Sequence, residues 1–232
     1  AFYALAKKSD VVFSNFRPGV TANLGVDYET LSKINPRIIC CSISGFGATG
    51  PERDLPAFDP ILQAAGGVLS LTGEPGGAPM MVGFPRADLC RGDAAGQAIL
   101  AALYGRERSG QGQDIDLSMF DVQVHLQGHI GQYYLASGEV LEPLGAYNHI
   151  NIPAGSFPTS SGYITISCTT QKFWENLAAV LVGMEGYEFL KDDPRFTLNA
   201  DRAKHKWELI AILERAFRTR TTEEWLPVFE AG

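Results

Sequence analysis

Asp88 has the setting of a reactive carboxylate. Ala87-Asp88-Leu89 joins an extended stretch, Met80 to Pro85, to a helix whose early turns carry Gly92, Ala94, Ala95 and Gly96. The field at a helix start favours an anion, and small neighbours leave it open to a bulky electrophile. The same placement suits a helix N-cap, for which Asp is a preferred residue, and Asp93 competes for that role. Gly45-Phe46-Gly47-Ala48-Thr49-Gly50 matches the glycine pattern of a dinucleotide-binding turn after a strand. Pro51 and the run Glu52-Arg53-Asp54-Leu55-Pro56 then read as a loop, where that motif needs a helix to receive the pyrophosphate. His125 and His129 stand four apart on an expected helix, but Leu126 occupies the place of a metalloprotease's Glu and no third ligand is evident, so no metal is expected. Ser44 and Ser161 lack the flanking glycines of a nucleophile elbow, which argues against a serine hydrolase.

The elements that must position these residues follow from periodicity. Val11-Val12-Phe13-Ser14 and Arg37 to Ile43 are short apolar runs bounded by turn residues, and Asp27 to Ile34 between them is helical: strand, helix, strand. Phe58 to Leu69 is apolar with small residues, Ala94 to Tyr104 is helical, Gln113 to Leu117 alternates like a strand, and Met119 to Ala136 reads as one helix. A parallel sheet with helices on both faces, Rossmann-like, is expected for residues 1–140, and a smaller α+β domain for 141–232. Glu139 to Pro158 reads as a loop, Gly162 to Ser167 as a strand, and the rest as helical. There, Trp207, Ile210, Leu213 and Phe217 form a face, and Thr221-x-x-Glu224 makes a capping box ahead of Trp225, Val228 and Phe229.

Composition narrows the functional classes. With 232 residues, 45% hydrophobic and 19% charged, the chain can bury a large core. Its net charge of −7 argues against a nucleic-acid partner, which clustered Lys and Arg would attract. The longest apolar run, Ala98 to Tyr104, is far shorter than the roughly 20 residues a bilayer span needs, and Ala1 to Lys8 is no secretory signal, so a cytoplasmic protein without membrane attachment is expected. Four cysteines, Cys40, Cys41, Cys90 and Cys168, lack metal-site or disulfide spacing and read as reduced, buried thiols.

A longer, ordered set of residues resembles a known family. Asn15-Phe16-Arg17-Pro18-Gly19, Leu24-Gly25, Asn35-Pro36-Arg37, Ser42 to Gly47 with Thr49-Gly50-Pro51, Phe58-Asp59 with Gln63-Ala64, Leu71 to Pro75, Ala87-Asp88-Leu89 and Arg106-Glu107-Arg108 with Gly110-x-Gly112-Gln113 are similar to the class III CoA-transferases. That group also contains alpha-methylacyl-CoA racemase. The match is nearly continuous from Asp10 to Ser118 and weaker beyond.

The resemblance implies transfer of coenzyme A between an acyl-CoA and a free carboxylic acid, in an interlinked homodimer. It makes Asp88 the catalytic nucleophile, forming an acyl-aspartyl anhydride, and places Asn15, Phe16, Arg17, Phe58 and Asp59 beside the CoA. Backbone N–H groups of glycine-containing loops are the implied oxyanion donors. Phe58 stands where the racemases carry a His, and it cannot move a proton, so transferase outranks racemase. Ala146 to Pro153 lacks the glycine-rich loop of formyl-CoA transferase, which points to an acid larger than oxalate, such as a dicarboxylate taking CoA from succinyl-CoA. Many members have Arg at the position of Asn23, where it meets CoA phosphate, whereas here Arg17 alone remains. Members extend beyond both ends of this chain, so a piece of a longer enzyme is expected, and a catalytically silent binding or assembly module is the alternative. Phe2 and Leu5 at the opening, with Trp225, Val228 and Phe229 ahead of Ala231-Gly232, would then lie exposed and drive self-association.

Overall fold

The computed structural model describes residues 1–230, so the expectation about Ala231-Gly232 lies outside the described residues. The chain forms two compact units: Ala1–Gly73 with Ala78–Glu142, and Pro143–Gly232 with the short stretch Glu74–Gly77.

In the larger unit, α1 (Phe2–Ala6), β1 (Val11–Ser14), α2 (Val20–Asn23), α3 (Tyr28–Leu31) and β2 (Ile39–Ser44) come first. They are followed by α4 (Asp59–Ala65), α5 (Val68–Leu71), α6 (Arg86–Ser109), β3 (Asp114–Ser118), α7 (Met119–His125) and α8 (His129–Ser137). The strands form a three-stranded parallel sheet in the order β1-β2-β3, with Val12 opposite Cys40 and Cys41 opposite Ile115. Because side chains alternate along a strand, β2 is buried on both faces. Ile39, Cys41 and Ile43 pack with Leu62, Ala87, Ala95, Ala102 and Met119, while Cys40 packs with Ala6, Leu31 and Ile38. Alanines at 87, 95 and 102 make one inward stripe of α6, and their small size lets a 24-residue helix lie close on the sheet. Its C-terminal turn is held by Arg106, which donates to Arg37 O at 3.1 Å and Asp10 Oδ1 at 2.9 Å, and Gly110 closes the helix at φ +73°.

One expected helix divides. Leu126, Gln127 and Gly128 form a turn between α7 and α8, with Gly128 at φ +43° and the Gln127 amide donating to Gly66 O. His125 therefore ends one helix and His129 begins the next, so the four-residue spacing does not place them on one helical face. Among the described residues no group of three His, Cys, Asp or Glu could hold a metal ion.

The smaller unit contains β4 (Ala154–Pro158) and β5 (Tyr163–Ser167), paired antiparallel with Phe157 opposite Ile164. It continues with α9 (Gln171–Val182), a single 3-10 turn (Glu188–Lys191), α10 (Asn199–Lys204), α11 (Lys206–Phe217) and α12 (Thr222–Glu230). β4 lies within the stretch expected to be a loop. Its Gly155, Ser156 and Pro158 carry weak strand preference, and the ladder to β5 overrides it. The core is aromatic: Phe157 meets Phe217 at 5.4 Å between centroids, Phe217 meets Trp225 at 5.2 Å, and Trp225 stacks on Phe229 at 5.5 Å. α11 turns Leu209, Ile210, Ile212, Leu213, Ala216 and Phe217 inward and leaves Trp207 exposed, against expectation, because its apolar face is centred one residue away from Trp207. The capping box forms reciprocally, Glu224 N donating to Thr221 Oγ1 at 3.2 Å and Thr221 N to Glu224 Oε2 at 2.8 Å.

The expected exposed face of the last helix is corrected in the same way. Trp225 is fully buried and donates from its indole to Phe217 O at 2.9 Å, and Val228 and Phe229 pack against the same core. Phe2 and Leu5 are exposed. Cys40, Cys41 and Cys168 are buried free thiols, whereas Cys90 is half-buried. Burial pushes the Cys40 thiol up to about 12 and Cys168 up to about 11. No helix among the described residues is long and apolar enough to cross a membrane.

Candidate active site

The parallel strands β1, β2 and β3 end side by side, so the segments that follow them share one edge of the sheet, the edge at which open α/β folds bind ligands. Asn15, Phe16, Arg17 and Pro18 follow β1, Ser44 and Gly45 close and follow β2, and Met119 follows β3. With Arg53, Leu55, Pro56, Ala57, Phe58 and Arg91 they line a cleft of about 210 Å³. Four of the residues expected beside CoA, Asn15, Phe16, Arg17 and Phe58, thus face one space. Gly45 permits the wall to form, because a Cβ there would lie 2.1 Å from the Ala57 Cβ.

The glycine run after β2 leads into turns and not into a helix, in agreement with the loop expected from Pro51 to Pro56. Its Ala48 amide already donates to Asp116 Oδ2 at 2.8 Å, so a carboxylate of the protein sits where a phosphate would need to approach. Asp114, on the same strand, is raised above the ordinary carboxylate range by burial first and by the charge of Asp116 second.

Asp88 lies on the first turn of α6. It is not the helix cap: Pro85 precedes the helix, and the amides of Ala87 and Asp88 both donate to Asp59 Oδ2, at 2.7 and 3.1 Å. Asp93, the other candidate cap, lies within the helix. Asp59 is 8% exposed, and its second oxygen accepts from Gln63 Nε2 at 2.5 Å, so its carboxylate is turned to the start of α6 and not to the cleft. Gln63 in turn accepts from Val82 N at 3.2 Å and donates to Phe84 O at 3.4 Å, fastening the extended segment that leads into the helix. A negative side chain thereby satisfies amides at a positive helix end, from a residue almost thirty positions away. The Asp88 side chain is freed from capping and is 44% exposed.

Arg91 joins the carboxylate to the cleft. Its Nη2 lies 3.2 Å from Asp88 Oδ1, its Nη1 rests against Met119 Sδ at 2.9 Å, and it lines the cleft directly. Spacing predicted neither Arg91 nor Arg53. The one available signal is that Arg91 stands three residues after Asp88, on the same face of a helix.

The sequence pattern of CoA-transferase family III matches residues 1–232. The chain belongs to that family. It is 39% identical over 228 residues to the acetyl-CoA:oxalate CoA-transferase of Acetobacter aceti, covering 98% of this chain and 58% of that protein. It is likewise 39% identical over 210 residues to the succinate–glutarate CoA-transferase of Agrobacterium fabrum, covering 90% of this chain and 51% of that protein. A CaiB/BaiF family protein from Brucella suis has the same fold, with a TM-score of 0.80 and 33% identity over all of this chain and 60% of its own. The chain spans about half the length of the curated relatives it matches.

Proposed function

We propose that the protein moves coenzyme A between an acyl-CoA thioester and a free carboxylic acid, with Asp88 as nucleophile and the acyl-CoA lying along Asn15, Phe16, Arg17 and Phe58. The observation that carries this reading is the Asp88 carboxylate itself, half-exposed on the first turn of α6 and bridged by Arg91 to the cleft beyond the parallel strands.

The steps exchange one leaving group for another without net proton transfer. An Asp88 oxygen attacks the thioester carbonyl, a C–O bond forms, the C–S bond breaks, and CoA departs as thiolate from a mixed anhydride. The thiolate attacks the Asp88 acyl carbon and releases the donor as its free carboxylate, leaving CoA on Asp88 as a thioester. An incoming carboxylate attacks that carbon and expels the thiolate, which then takes the new acyl group and returns Asp88 to its starting state. A single direct exchange is replaced by steps between activated species of similar energy, and water must be kept from the anhydride.

Phe58 carries no proton to move, which favours transfer over racemisation. The relatives' names support small acids, succinate, glutarate and oxalate, as the range to screen; a dicarboxylate with succinyl-CoA leads, and oxalate joins the screen because one 39%-identical relative is named for it. The interlinked homodimer and a cytoplasmic setting belong to the same proposal. In the complete protein, Asp88→Asn should lower CoA transfer at least about a thousandfold, in line with the loss of a covalent nucleophile, and hydroxylamine should trap an acyl-enzyme only when Asp88 is present. Undiminished transfer by Asp88→Asn would remove Asp88 from the mechanism.

A further inference from the structure

We infer that Arg91 is the binding residue for the carboxylate of the free acid substrate, released for that task each time Asp88 is acylated. The inference rests on the reading of Asp88 as nucleophile.

The cleft lining contains three guanidinium groups, Arg17, Arg53 and Arg91, and no carboxylate among the described residues. They differ in their partners. Arg53 lies 3.4 Å from its exposed neighbour Asp54, whereas Arg91 is paired with Asp88. Arg91 is also the less exposed of these two, with 26% of its side chain accessible against 55% for Arg53, so its interaction with an anion is less screened by water. A guanidinium presents a planar fork of donors that matches a carboxylate, and here the fork lies beside the atom that must react.

The chemistry gives the pair two states. In the resting protein the Asp88 carboxylate occupies Arg91. Acylation turns that carboxylate into a neutral anhydride or thioester, and Arg91 is left next to the electrophilic carbon without its anion. The ligand that satisfies it is another carboxylate, and the acid substrate is one. Capture by Arg91, three residues along the same helix face, places the incoming oxygen beside the Asp88 acyl carbon. When Asp88 is regenerated it reclaims Arg91 and the acid leaves as its CoA thioester, so an unacylated site does not retain the acid.

The test uses the complete protein and exchange between an acyl-CoA and its own isotopically labelled acid, run with acetate, succinate and glutarate and their CoA thioesters. Arg91→Gln should raise KM for the acid about tenfold to a hundredfold, the worth of a charge-assisted hydrogen bond or two, while KM for acyl-CoA moves less than about twofold. Acyl-enzyme formed from acyl-CoA alone and trapped by hydroxylamine should persist in this variant. Arg91→Lys keeps the charge but loses the fork and should fall between the two, and it carries the same comparison if Arg91→Gln does not fold. An unchanged acid KM, equal rises in both KM values, or loss of the trapped acyl-enzyme overturns the inference. A wild-type protein that yields no acyl-enzyme overturns the Asp88 reading itself, an outcome that the trapping experiment identifies separately.

Discussion

Asp59 in the larger unit and Arg202 in the smaller are both buried charges, 8% and 1% exposed, and neither takes part in an ion pair among the described residues. Backbone dipoles satisfy each of them with the appropriate sign. Asp59 accepts amides at the start of α6, whereas Arg202 donates to the carbonyls of Ile152, Phe196 and Thr197 and lies over Trp174 at 4.9 Å. Desolvation lowers the Arg202 pKa, a burial cost that its carbonyl acceptors oppose. The surroundings differ more than the devices do. Arg202 lies against core residues Ile152, Trp174 and Phe196, while Asp59 sits beside an open sheet edge where Phe16, Leu55 and Phe58 remain exposed. One buried charge holds a core together; the other sets the position of a reactive side chain at an edge left open for a ligand.

Three substitutions test that contrast. All three tryptophans, Trp174, Trp207 and Trp225, belong to the smaller unit, so their fluorescence reports on it selectively. Arg202→Met strands several buried carbonyls and should lower stability by ~3 kcal/mol, read as an earlier urea midpoint in tryptophan fluorescence. Asp59→Asn removes the charge from the contacts at the start of α6 and should weaken them by ~2 kcal/mol, read as faster hydrogen exchange at the Ala87 and Asp88 amides, with a smaller fluorescence shift than Arg202→Met and reduced kcat for CoA transfer. If Asp59→Asn leaves both exchange and kcat unchanged, Asp59 does not set the Asp88 geometry. Thr221→Ala breaks the capping box at the smaller unit's last helix and should cost ~1 kcal/mol, visible in the same fluorescence melt and without effect on acyl-enzyme trapping.

Much of the framework was legible along the chain. The apolar runs at Val11 and Ile39 became neighbouring parallel strands, the alternation from Asp114 became the third, and Thr221-x-x-Glu224 capped as its spacing requires. The failures share a cause. β4 is poor in strand formers and exists through its pairing with β5, the α7–α8 break depends on a turn at Gly128 that two helix-like flanks obscured, and Trp225 is covered by Phe217 of the preceding helix and Phe229 of its own, a packing that spacing along α12 does not reveal. In each case a contact between elements, or the turn that joins them, outweighed a preference read along a single segment.

The candidate site divides in the same way. The order and types of its residues, Asn15-Phe16-Arg17, Phe58-Asp59 and Asp88, are written in the sequence and marked the family. Strand periodicity and the capping box were equally readable, because each depends on groups within a few positions of one another, whose geometry the backbone repeat dictates. The tertiary structure decided which carboxylate caps α6 and which is left free, since Asp59 reaches the Ala87 and Asp88 amides across 28 and 29 positions. It also decided that Arg17, Arg53 and Arg91 share one cleft and that Arg91 pairs with Asp88. Those pairings depend on the ends of three parallel strands arriving side by side, an arrangement set by the burial of β2 on both faces and not by any spacing along the chain.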